Sequence, residues 1–468
     1  MSVAGRNSSH PPAASRIAVV GAGHVGLPTA AALVRLGHSV TCAESDPGRL
    51  MILQRGGVPI FEEGLAEAMG AARSAGQLRF VASAAEAVED SEFTFLCVPT
   101  PERLDGSADL TYLEHAAAEI APKLPYGSVV INKSTVPIGS TRLVEQTIAR
   151  PDIKVVSNPE FLREGTAVQD SLRPDRIVVG ADDQDAAARV GALFSMTGAP
   201  LVVTDAATAE TIKYVANTFL AAKLSFINAV AGLCDAVGAD VRDVILGIGY
   251  DRRIGFDFLR PGPGWGGSCF PKDTHALLHI AMDAGFDFPL LRAVIETNEA
   301  QTTRIVGKLE QALRDQLRLE DGAPVLGGRL LGAWGLTFKA GTDDLRESPA
   351  LRVLSQLLEQ GAVVRAFDPT VDATEVGEGP FEPLRREWTA MGLPEAHLGR
   401  LHLARDVSEA ARGASALLVL TEWEQFRRPN LAALKAELAE PIVVDSRNLL
   451  DPGAVRAAGF RYVAVGRP

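Results

Sequence analysis

A glycine-rich turn between an apolar strand and an apolar helix is the feature that most constrains the fold of this chain. Residues 16–20 form a short apolar run, the spacing GxGxxG follows over residues 21–26, and an apolar helical pattern extends to about residue 36. A second strand pattern covers residues 39–43. This order predicts a complete βαβ unit, which builds a parallel sheet covered by helices.

The same turn predicts a dinucleotide site. Gly21 allows the tight turn, Gly23 lets the backbone approach a pyrophosphate, and Gly26 permits close packing of helix on strand. His24 and Val25 lie in the same turn. The pyrophosphate is expected at the helix N-terminus, where main-chain N–H groups and the helix dipole favour anions.

An acidic residue after the second strand indicates which dinucleotide binds. Glu44 lies 18 residues after Gly26. A carboxylate there accepts hydrogen bonds from both ribose hydroxyls and repels a 2′-phosphate, so NAD is predicted rather than NADP. Asp46, two residues further on, is an alternative ribose ligand.

The rest of the chain predicts two α/β domains joined by helices. Apolar runs of strand length alternate with helical segments up to residue 180 and again over residues 330–445, whereas residues 208–312 are almost entirely helical in pattern. We therefore expect an α/β fold with two Rossmann-like domains, each a parallel sheet with helices on both faces, joined by a long central helix in an all-helical middle section. The expected boundaries are 1–15 for a disordered tail, 16–205 for the N-terminal NAD-binding Rossmann-like domain, 206–320 for the helical central or dimerisation domain, and 321–468 for a C-terminal Rossmann-like domain.

Composition narrows the class of protein. The 46 basic and 58 acidic residues give a net charge of −12, which argues against nucleic-acid and anionic-membrane binding. The four cysteines show no CxxC spacing, so neither a metal site nor a disulfide framework is predicted. The first fifteen residues lack an apolar signal core, and glycines interrupt the apolar stretch that follows. We expect a cytoplasmic protein without membrane or nucleic-acid partners.

The segment Gly264–Asp273 is the most informative for chemistry. Cys269 follows a run of glycines, so a substrate can approach it closely, and Pro271 suits the first turn of a following helix. The helix N-terminus and Lys272 are both expected to lower the pKa of the Cys269 thiol. The other three cysteines lie within strand or helix patterns, where cysteine packs as a small hydrophobic residue.

Three further polar clusters are weaker signals. Lys213 and Asn217 are spaced i, i+4 on one face of the long helix, a spacing equally typical of a solvated stripe. Glu160 and Glu164 follow an Asn-Pro pair, although surface acids at that spacing are common. Thr135 follows a predicted strand at its carboxyl end, where Rossmann-type sheets bind ligands.

Taken together, these segments resemble the UDP-glucose/GDP-mannose dehydrogenase family, and most closely its members that act on UDP-glucose. The resemblance covers nearly the whole chain after the tail. It rests on GAGHVGLP, CVPTP, KSTVP, NPEFLREGTA, the helix with Lys213 and Asn217, GGSCFPKD and FKAGTDDLRESP, in that order. It implies an NAD domain, a helical dimerisation segment, and a C-terminal domain that binds the nucleotide sugar.

The activity that the resemblance implies is the NAD-dependent four-electron oxidation of UDP-glucose at C6 to UDP-glucuronate. The carbon passes through a thiohemiacetal and a thioester on Cys269, and Glu164 activates water against the thioester. Thr135 helps to hold that water and the cofactor. The implied catalytic set is Cys269, Lys213, Asn217, Asp273, Glu164 and Thr135.

The resemblance also implies two sets of binding residues. The cofactor set is Gly21, Gly23, His24, Val25, Gly26, Glu44, Arg49, Thr100, Thr135, Glu164, Lys272 and Arg346. The nucleotide-sugar set is Glu160, Phe161, Leu162, Arg163, Glu164, Lys213, Asn217, Arg253, Phe258, Leu259, Arg260, Pro261, Gly262, Gly266, Lys339 and Arg447. Within it, Arg253 resembles an arginine that reaches across from a partner subunit, which implies a homodimer or higher homo-oligomer. Glu44 departs from the shorter aspartate that the family usually has.

Three alternatives remain at this stage. The sugar could be a UDP-N-acetylhexosamine or GDP-mannose. A single-step NAD hydroxyacid dehydrogenase would not need Cys269 or its surrounding motif. A non-catalytic nucleotide-sugar sensor would not need to retain the complete catalytic set.

Overall fold

The computed structural model describes residues 14–103, 106–320, 322–371 and 382–468. The predicted disordered tail lies outside the described residues, apart from its last two positions. The chain divides into two compact units, Met1–Val215 and Ala216–Pro468.

The first unit is built on an eight-stranded sheet. Its strands are β1 (Arg16–Val20), β2 (Ser39–Ala43), β3 (Leu78–Val81), β4 (Phe93–Leu96), β5 (Val129–Asn132), β6 (Lys154–Ser157), β7 (Ile177–Gly180) and β8 (Leu201–Thr204). Their order across the sheet is β3-β2-β1-β4-β5-β6-β7-β8. The order changes direction between β1 and β4, and sheets of this kind bind ligands at the carboxyl ends of the strands beside such a switch.

Helices cover both faces of this sheet. They are α1 (Gly26–Arg35), α2 (Pro47–Gln54), α3 (Leu65–Ser74), α4 (Ala84–Val88), α5 (Thr111–Ile120), α6 (Ser140–Ile148), α7 (Ala167–Leu172) and α8 (Gln184–Leu193). Side chains alternate between the faces along each strand. Ile17 and Val19 therefore join the core beneath α1, α3 and α8, whereas Ala18 and Val20 join the core beneath α4, α5 and α6.

Four helices follow the first sheet. They are α9 (Ala206–Val237), α10 (Val241–Gly249), α11 (Phe270–Asp283) and α12 (Pro289–Leu317). The boundary between the two units falls within α9, so this helix begins in the first unit and continues in the second.

The second unit contains a six-stranded parallel sheet. Its strands are β9 (Leu330–Trp334), β10 (Val363–Phe367), β11 (Leu401–Leu403), β12 (Leu417–Val419), β13 (Ile442–Asp445) and β14 (Arg461–Ala464), in the order β11-β10-β9-β12-β13-β14. The accompanying helices are α13 (Pro349–Glu359), α14 (Glu382–Ala390), α15 (Val407–Ala411), α16 (Leu431–Glu437) and α17 (Pro452–Ala457). Helices α12 and α13 pack on one face of the sheet, and α15, α16 and α17 pack on the other.

The predicted fold class is confirmed: two parallel-sheet regions with helices on both faces are joined by a long helical segment. One strand pairing differs from the predicted parallel sheet: β6 and β7 pair antiparallel, at Ser157 and Gly180. The sequence also did not indicate β3, β6, β8, β11 and β14.

Candidate active site

The glycine turn after β1 has the form that a dinucleotide requires. Gly21 has a φ of +100°, and a Cβ on Gly26 would lie 1.8 Å from the carbonyl oxygen of Gly21. These two positions therefore exclude a side chain. A Cβ on Gly23, by contrast, would meet no atom within 4 Å. That open space, together with an N-terminus of α1 that no side chain caps, fits a bound pyrophosphate.

This difference between the two glycines gives a direct test of the cofactor site. We expect Gly23→Ala to fold as wild type, because the space is open and its backbone is outside the left-handed region. NAD affinity should fall roughly tenfold to a hundredfold, the equivalent of about 1–3 kcal/mol of lost contact. Gly26→Ala should instead lower the free energy of unfolding by more than about 3 kcal/mol. Calorimetric NAD titration and thermal unfolding measure the two effects; equal NAD affinity in wild type and Gly23→Ala would contradict the assignment.

Glu44 lies at the carboxyl end of β2, beside this turn. Glu44 is 8% exposed; its carboxylate accepts the main-chain N–H of Asp46 at 2.9 Å and lies 3.5 Å from the Arg49 guanidinium. Arg49 in turn donates to the carbonyl oxygen of Ala22 at 2.7 Å, within the glycine turn. The carboxylate of Asp46, the alternative ribose ligand, accepts the Arg49 N–H at the start of α2. Glu44 is thus buried beside the glycine turn and Asp46 is exposed at the start of α2; Glu44 stays the predicted ribose ligand.

Thr100 and Thr135 meet at the carboxyl ends of β4 and β5. The Thr100 hydroxyl donates to the carbonyl oxygen of Thr135 at 2.7 Å. The loop after β5 is also attached to α9, because the Glu210 carboxylate accepts the main-chain N–H groups of Gly139 and Thr141 at 2.6 and 2.8 Å. The two predicted threonines are thus brought together beside the topological switch.

A buried ion pair joins α9 to the loop after β6. Lys213 Nζ lies 2.6 Å from Glu160 Oε1, and both side chains are at most 5% exposed. Burial raises the pKa of Glu160, but the charge and hydrogen bond of Lys213, the N–H of Leu162 and the charge of Lys133 outweigh it, so the pKa lies below its usual value. Burial lowers the pKa of Lys133, whereas the charge of Glu160 opposes that change.

The segment Glu160–Arg163, predicted to bind the nucleotide sugar, lines a cavity of about 100 Å³ in the first unit. The Phe161 ring makes cation–π contacts with two side chains. The Arg176 guanidinium lies 3.5 Å from the ring centre, and Lys213 Nζ lies 5.6 Å from it. Arg163 pairs with Asp170 at 2.5 Å and is largely exposed. No sequence motif marks Arg176, which precedes β7.

Glu164, the predicted base for the hydrolytic step, is half-buried and is followed by Gly165 with a φ of +83°. Glu62, in the loop between α2 and α3, accepts the main-chain N–H groups of Gly165 and Ala167 at 2.8 and 2.7 Å. A carboxylate about a hundred positions earlier in the chain thus holds the backbone next to Glu164. No local motif marks Glu62.

In the second unit, Cys269 occupies the N-terminal position of α11, and Pro271 lies in the first turn of that helix as predicted. The thiol is partly exposed and lies 3.4 Å from the Ser268 hydroxyl. The positive end of the helix dipole favours negative charge there. Cys42, Cys97 and Cys234 are all buried, and burial raises the pKa of each thiol, that of Cys97 to about 12.

Asp273 lies one turn after Cys269 and is fully buried. Its two oxygens accept hydrogen bonds from Asn217 and Lys272, each at 2.6 Å, and its main-chain N–H donates to the carbonyl oxygen of Cys269 at 2.9 Å. The structure therefore brings together four predicted residues around the start of α11. Asn217 is not part of a solvated stripe, since it is 7% exposed.

The predicted sugar-binding loop, residues 258–266, precedes Cys269. Leu259 is 2% exposed and packs within the hydrophobic core, whereas Arg260 is exposed. Phe258 has a φ of +61° and packs against Phe270 at 6.1 Å between ring centres. Gly266 has no space for a side chain, because a Cβ would lie 2.0 Å from the carbonyl oxygen of Glu347.

The cations predicted to bind the substrate diphosphate and the cofactor are held by neighbouring groups. Arg447 donates to the carbonyl oxygens of Leu420 and Phe338 at 2.8 and 2.7 Å. Arg346 is paired with Asp344. Lys339 lies above the Phe338 ring at 5.5 Å. Among these neighbouring groups, Asp344 lies within the FKAGTDDLRESP motif, whereas the carbonyl contacts carry no sequence signal.

Arg253 projects from the second unit, with its side chain 88% exposed, and its guanidinium pairs with Asp251 at 2.6 Å. The described residues contain no group of three or more His, Cys, Asp or Glu side chains that could hold a metal ion.

Three family models match the chain in sequence order. They are the NAD binding domain (residues 15–197), the central domain (residues 207–300) and the UDP binding domain (residues 332–452) of the UDP-glucose/GDP-mannose dehydrogenase family. The chain belongs to the UDP-glucose/GDP-mannose dehydrogenase family. The resemblance inferred from the motifs is thereby confirmed.

Full-length relatives of this dehydrogenase include two enzymes named UDP-glucose 6-dehydrogenase. That of Rhizobium meliloti (strain 1021) is 42% identical over 463 residues, 97% of this chain and 100% of the relative. That of Pseudomonas aeruginosa (strain PAO1) is 40% identical over 465 residues, 97% of this chain and 98% of the relative.

Solved structures agree with this assignment. A UDP-glucose dehydrogenase from Pyrobaculum islandicum superimposes with a TM-score of 0.84 at 34% identity, covering 99% of this chain and 100% of that chain. A UDP-D-ManNAc dehydrogenase from Pyrococcus horikoshii gives a TM-score of 0.81 at 27% identity, covering 97% and 99%. Enzyme class, family fold and NAD as cofactor follow from these matches.

Proposed function

We propose that this chain oxidises UDP-glucose at C6 to UDP-glucuronate, with Cys269 as the covalent nucleophile. The choice of UDP-glucose as the sugar rests on the full-length relatives, because both are named for UDP-glucose and their alignments cover 97% of the chain. The single structural observation that carries the chemistry is Cys269: in the described residues, which include all four cysteines, it alone is not buried.

The first oxidation converts the C6 alcohol to an aldehyde. NAD, when bound, accepts a hydride in each of the two oxidations. The hydroxyl proton leaves C6 through Lys213, Asp273 or an ordered water, because each can relay a proton within a hydrogen-bonded network. Glu160 pairs with Lys213 and positions its amino group, and Asn217 donates an N–H where negative charge develops on oxygen.

The second oxidation requires a covalent carrier. The Cys269 sulfur adds to the aldehyde carbon and the oxygen takes up a proton, giving a thiohemiacetal. Loss of a second hydride and of the hydroxyl proton leaves a thioester. Glu164 then removes a proton from water, which attacks the thioester carbon and releases the acid and the Cys269 thiol. Covalent attachment prevents loss of the aldehyde between the two steps.

The proposal is tested with purified protein, NAD and a panel of nucleotide sugars comprising UDP-glucose, UDP-N-acetylglucosamine, UDP-N-acetylmannosamine and GDP-mannose. NADH is counted against sugar product identified by mass. We expect turnover of UDP-glucose with two NADH formed for each UDP-glucuronate. One NADH with a released aldehyde would contradict the covalent mechanism.

A different sugar is the second candidate. The similarity to the Pyrococcus horikoshii UDP-D-ManNAc dehydrogenase supports it, although the sequence identity is lower than that to the UDP-glucose enzymes. Turnover of an N-acetylhexosamine nucleotide, with none of UDP-glucose, would decide in favour of this candidate.

We also propose that α9 forms a homodimer interface. Five large apolar residues of α9 are between 51% and 67% exposed: Val215, Phe219, Phe226, Leu233 and Val237. At about 100° per residue they fall within about 40° of one another around the helix, along a stripe about 33 Å long. Their spacing of 4, 7, 7 and 4 residues is symmetric about Phe226. A two-fold axis through Phe226 would therefore place Phe219 of one copy against Leu233 of the other.

The whole of α9 is also long and apolar enough to cross a membrane, judged by its length and composition alone. The two possibilities differ in an experiment. We expect wild type to sediment as a dimer without detergent and Phe226→Lys to sediment as a monomer, because a charge on the two-fold axis would face its own copy. Met282→Lys, at another exposed apolar position, is the control and should remain dimeric. Recovery of wild type only with detergent would instead support a membrane-bound helix.

We place the protein in the cytoplasm. The four cysteines all lie in the described residues and none of them forms a disulfide, which suits a reducing compartment.

A further inference from the structure

Two residues of loop 258–266, Gly262 and Trp265, have both main-chain polar groups held by amide side chains. The N–H of Gly262 donates to Asn228 Oδ1 at 2.8 Å, and its carbonyl oxygen accepts from Gln301 Nε2 at 2.7 Å. Asn228 belongs to α9 and Gln301 to α12, and both are at most 1% exposed. The two amides bind Gly262 as neighbouring strands would bind a residue in a sheet.

Trp265 is held in the same way by a single side chain. Its N–H donates to Asn298 Oδ1 at 2.7 Å and its carbonyl oxygen accepts from Asn298 Nδ2 at 3.0 Å. Its indole N–H donates to the Ser225 hydroxyl at 2.9 Å, and that hydroxyl donates to the carbonyl oxygen of Val294 at 2.8 Å. The loop is therefore fixed at two points, three residues apart, by side chains of α9 and α12.

The orientation of one amide is set by a charge. Arg304 Nη1 donates to Gln301 Oε1 at 2.7 Å, so the amide oxygen faces the guanidinium and the amide nitrogen is left to donate to Gly262. A reversed amide would place its nitrogen against a cation and its oxygen against a carbonyl oxygen. Arg304 thus makes the contact to Gly262 specific.

The two attachment points, Gly262 and Trp265, lie near two groups that the proposed reaction needs at a set distance from each other. On one side, a Cβ at Gly262 would lie 3.3 Å from Arg447 Nη1, the cation predicted to meet the substrate diphosphate. On the other side, Cys269 follows four residues after Trp265. The conformation of the loop therefore controls the distance between Arg447, the predicted diphosphate contact, and Cys269, the proposed nucleophile.

We propose that Asn228, Asn298 and Gln301 are positioning residues that hold loop 258–266 in the conformation that binds the nucleotide sugar. The inference rests on the proposed function, because it assigns the loop to the sugar nucleotide. The amides act through the loop backbone and touch neither substrate nor cofactor. Glycine at 262 suits this role, since its backbone supplies both hydrogen-bonding groups where a side chain would approach Arg447.

A merely structural role predicts something different. If the amides only stabilise the second unit, their removal lowers the melting temperature and the amount of active enzyme, but the remaining active enzyme keeps its KM values. If they position the loop, the KM for UDP-glucose rises while the KM for NAD does not. The split between the two KM values therefore separates the roles.

The variants are Asn298→Leu and Gln301→Met, which keep the approximate size of the side chain and remove the hydrogen bonds to the loop. Gln356→Met is the matched control, because it also removes a hydrogen bond from an amide side chain to α12. Gln356 lies on α13 and donates to the Thr302 hydroxyl of α12, outside loop 258–266. Where Asn298→Leu does not fold, Asn298→Ser is used instead, because its smaller side chain leaves space for water next to Trp265.

We expect Asn298→Leu and Gln301→Met to raise the KM for UDP-glucose at least about tenfold, with a change in the KM for NAD of less than about twofold. The affinity for UDP alone, measured by calorimetry, should fall by a similar factor, and Gln356→Met should match wild type in both measurements. Unchanged KM and UDP affinity in the loop variants, or equal rises in both KM values, would overturn the inference. If wild type turns over a different nucleotide sugar, the proposed substrate is wrong, and the same KM comparison made with that sugar still decides the role of the amides.

Discussion

Replacement of Cys269 by serine is expected to abolish formation of the uronic acid in a protein that remains folded. Cys269 lies partly exposed at the start of α11, so a serine fits without disturbing the core. A hydroxyl is a much weaker nucleophile toward the aldehyde at neutral pH, and the second oxidation needs the covalent adduct. We expect the rate of acid formation to fall at least about a thousandfold.

The measurement is NADH and UDP-glucuronate formed from UDP-glucose, with calorimetric titration to show that the variant still binds the substrate. Cys234→Ala is the matched control, because Cys234 is buried on α9 and its burial raises the pKa of its thiol. That variant should retain two NADH per acid. Acid formation by Cys269→Ser at more than about a tenth of the wild-type rate would rule out Cys269 as the nucleophile.

Removal of the Glu160 carboxylate is expected to have the second large effect, on stability as well as activity. In the wild type, Glu160 pairs with Lys213, and its charge also acts on the buried Lys133. Glu160→Gln leaves both lysines without this carboxylate, whereas Lys213→Met leaves Glu160 with the charge of Lys133. Breaking a buried pair from one side costs about 3–5 kcal/mol, so we expect Glu160→Gln to be destabilised by that amount and Lys213→Met by less.

A double variant separates stability from catalysis. Lys213→Met combined with Glu160→Gln removes both charges of the pair, and we expect it to be more stable than Glu160→Gln alone. It should nevertheless remain inactive, because Lys213 is assigned a role in proton transfer. Chemical denaturation and NADH formation measure the two effects. An active double variant would remove Lys213 from the catalytic set.

The same pair predicts a dependence of stability on pH. Because the pKa of Glu160 in the folded protein lies below its ordinary value of 4.5, its ionised form contributes stability that is present above about that pH. This contribution is lost as the pH falls through the lowered folded pKa. Unfolding free energies measured between pH 6 and pH 3 should therefore fall less steeply for Glu160→Gln than for wild type; parallel curves would contradict the assigned pKa direction.

Local sequence patterns determined the fold class and many of the chemical groups. The βαβ unit could be predicted because its strand, glycine turn and helix are continuous in the chain, and the limits of β1 and β2 were predicted as observed. Cys269 and Pro271 could be placed at the start of a helix for the same reason. The roles of the catalytic and binding residues remain predictions.

Tertiary structure decided which polar residues act together. From spacing alone, Lys213 and Asn217 could have faced solvent; the fold buries them and pairs them with Glu160 and Asp273, each more than fifty residues away in sequence. It also revealed Glu62, which holds the backbone beside Glu164.

The amides that hold loop 258–266 show the same limit. Asn228, Asn298 and Gln301 stand in helical patterns that indicate only polar positions, because a local pattern records which residue type occurs and not what it faces. They bind the main-chain N–H and carbonyl groups of Gly262 and Trp265. Every residue except proline carries both of these groups, so the sequence does not show which residue will be bound. The sequence by itself determined the fold class, and it predicted Cys269 as the nucleophile. Only the tertiary structure decided how the loop before it is held, because those hydrogen bonds form between segments more than thirty residues apart.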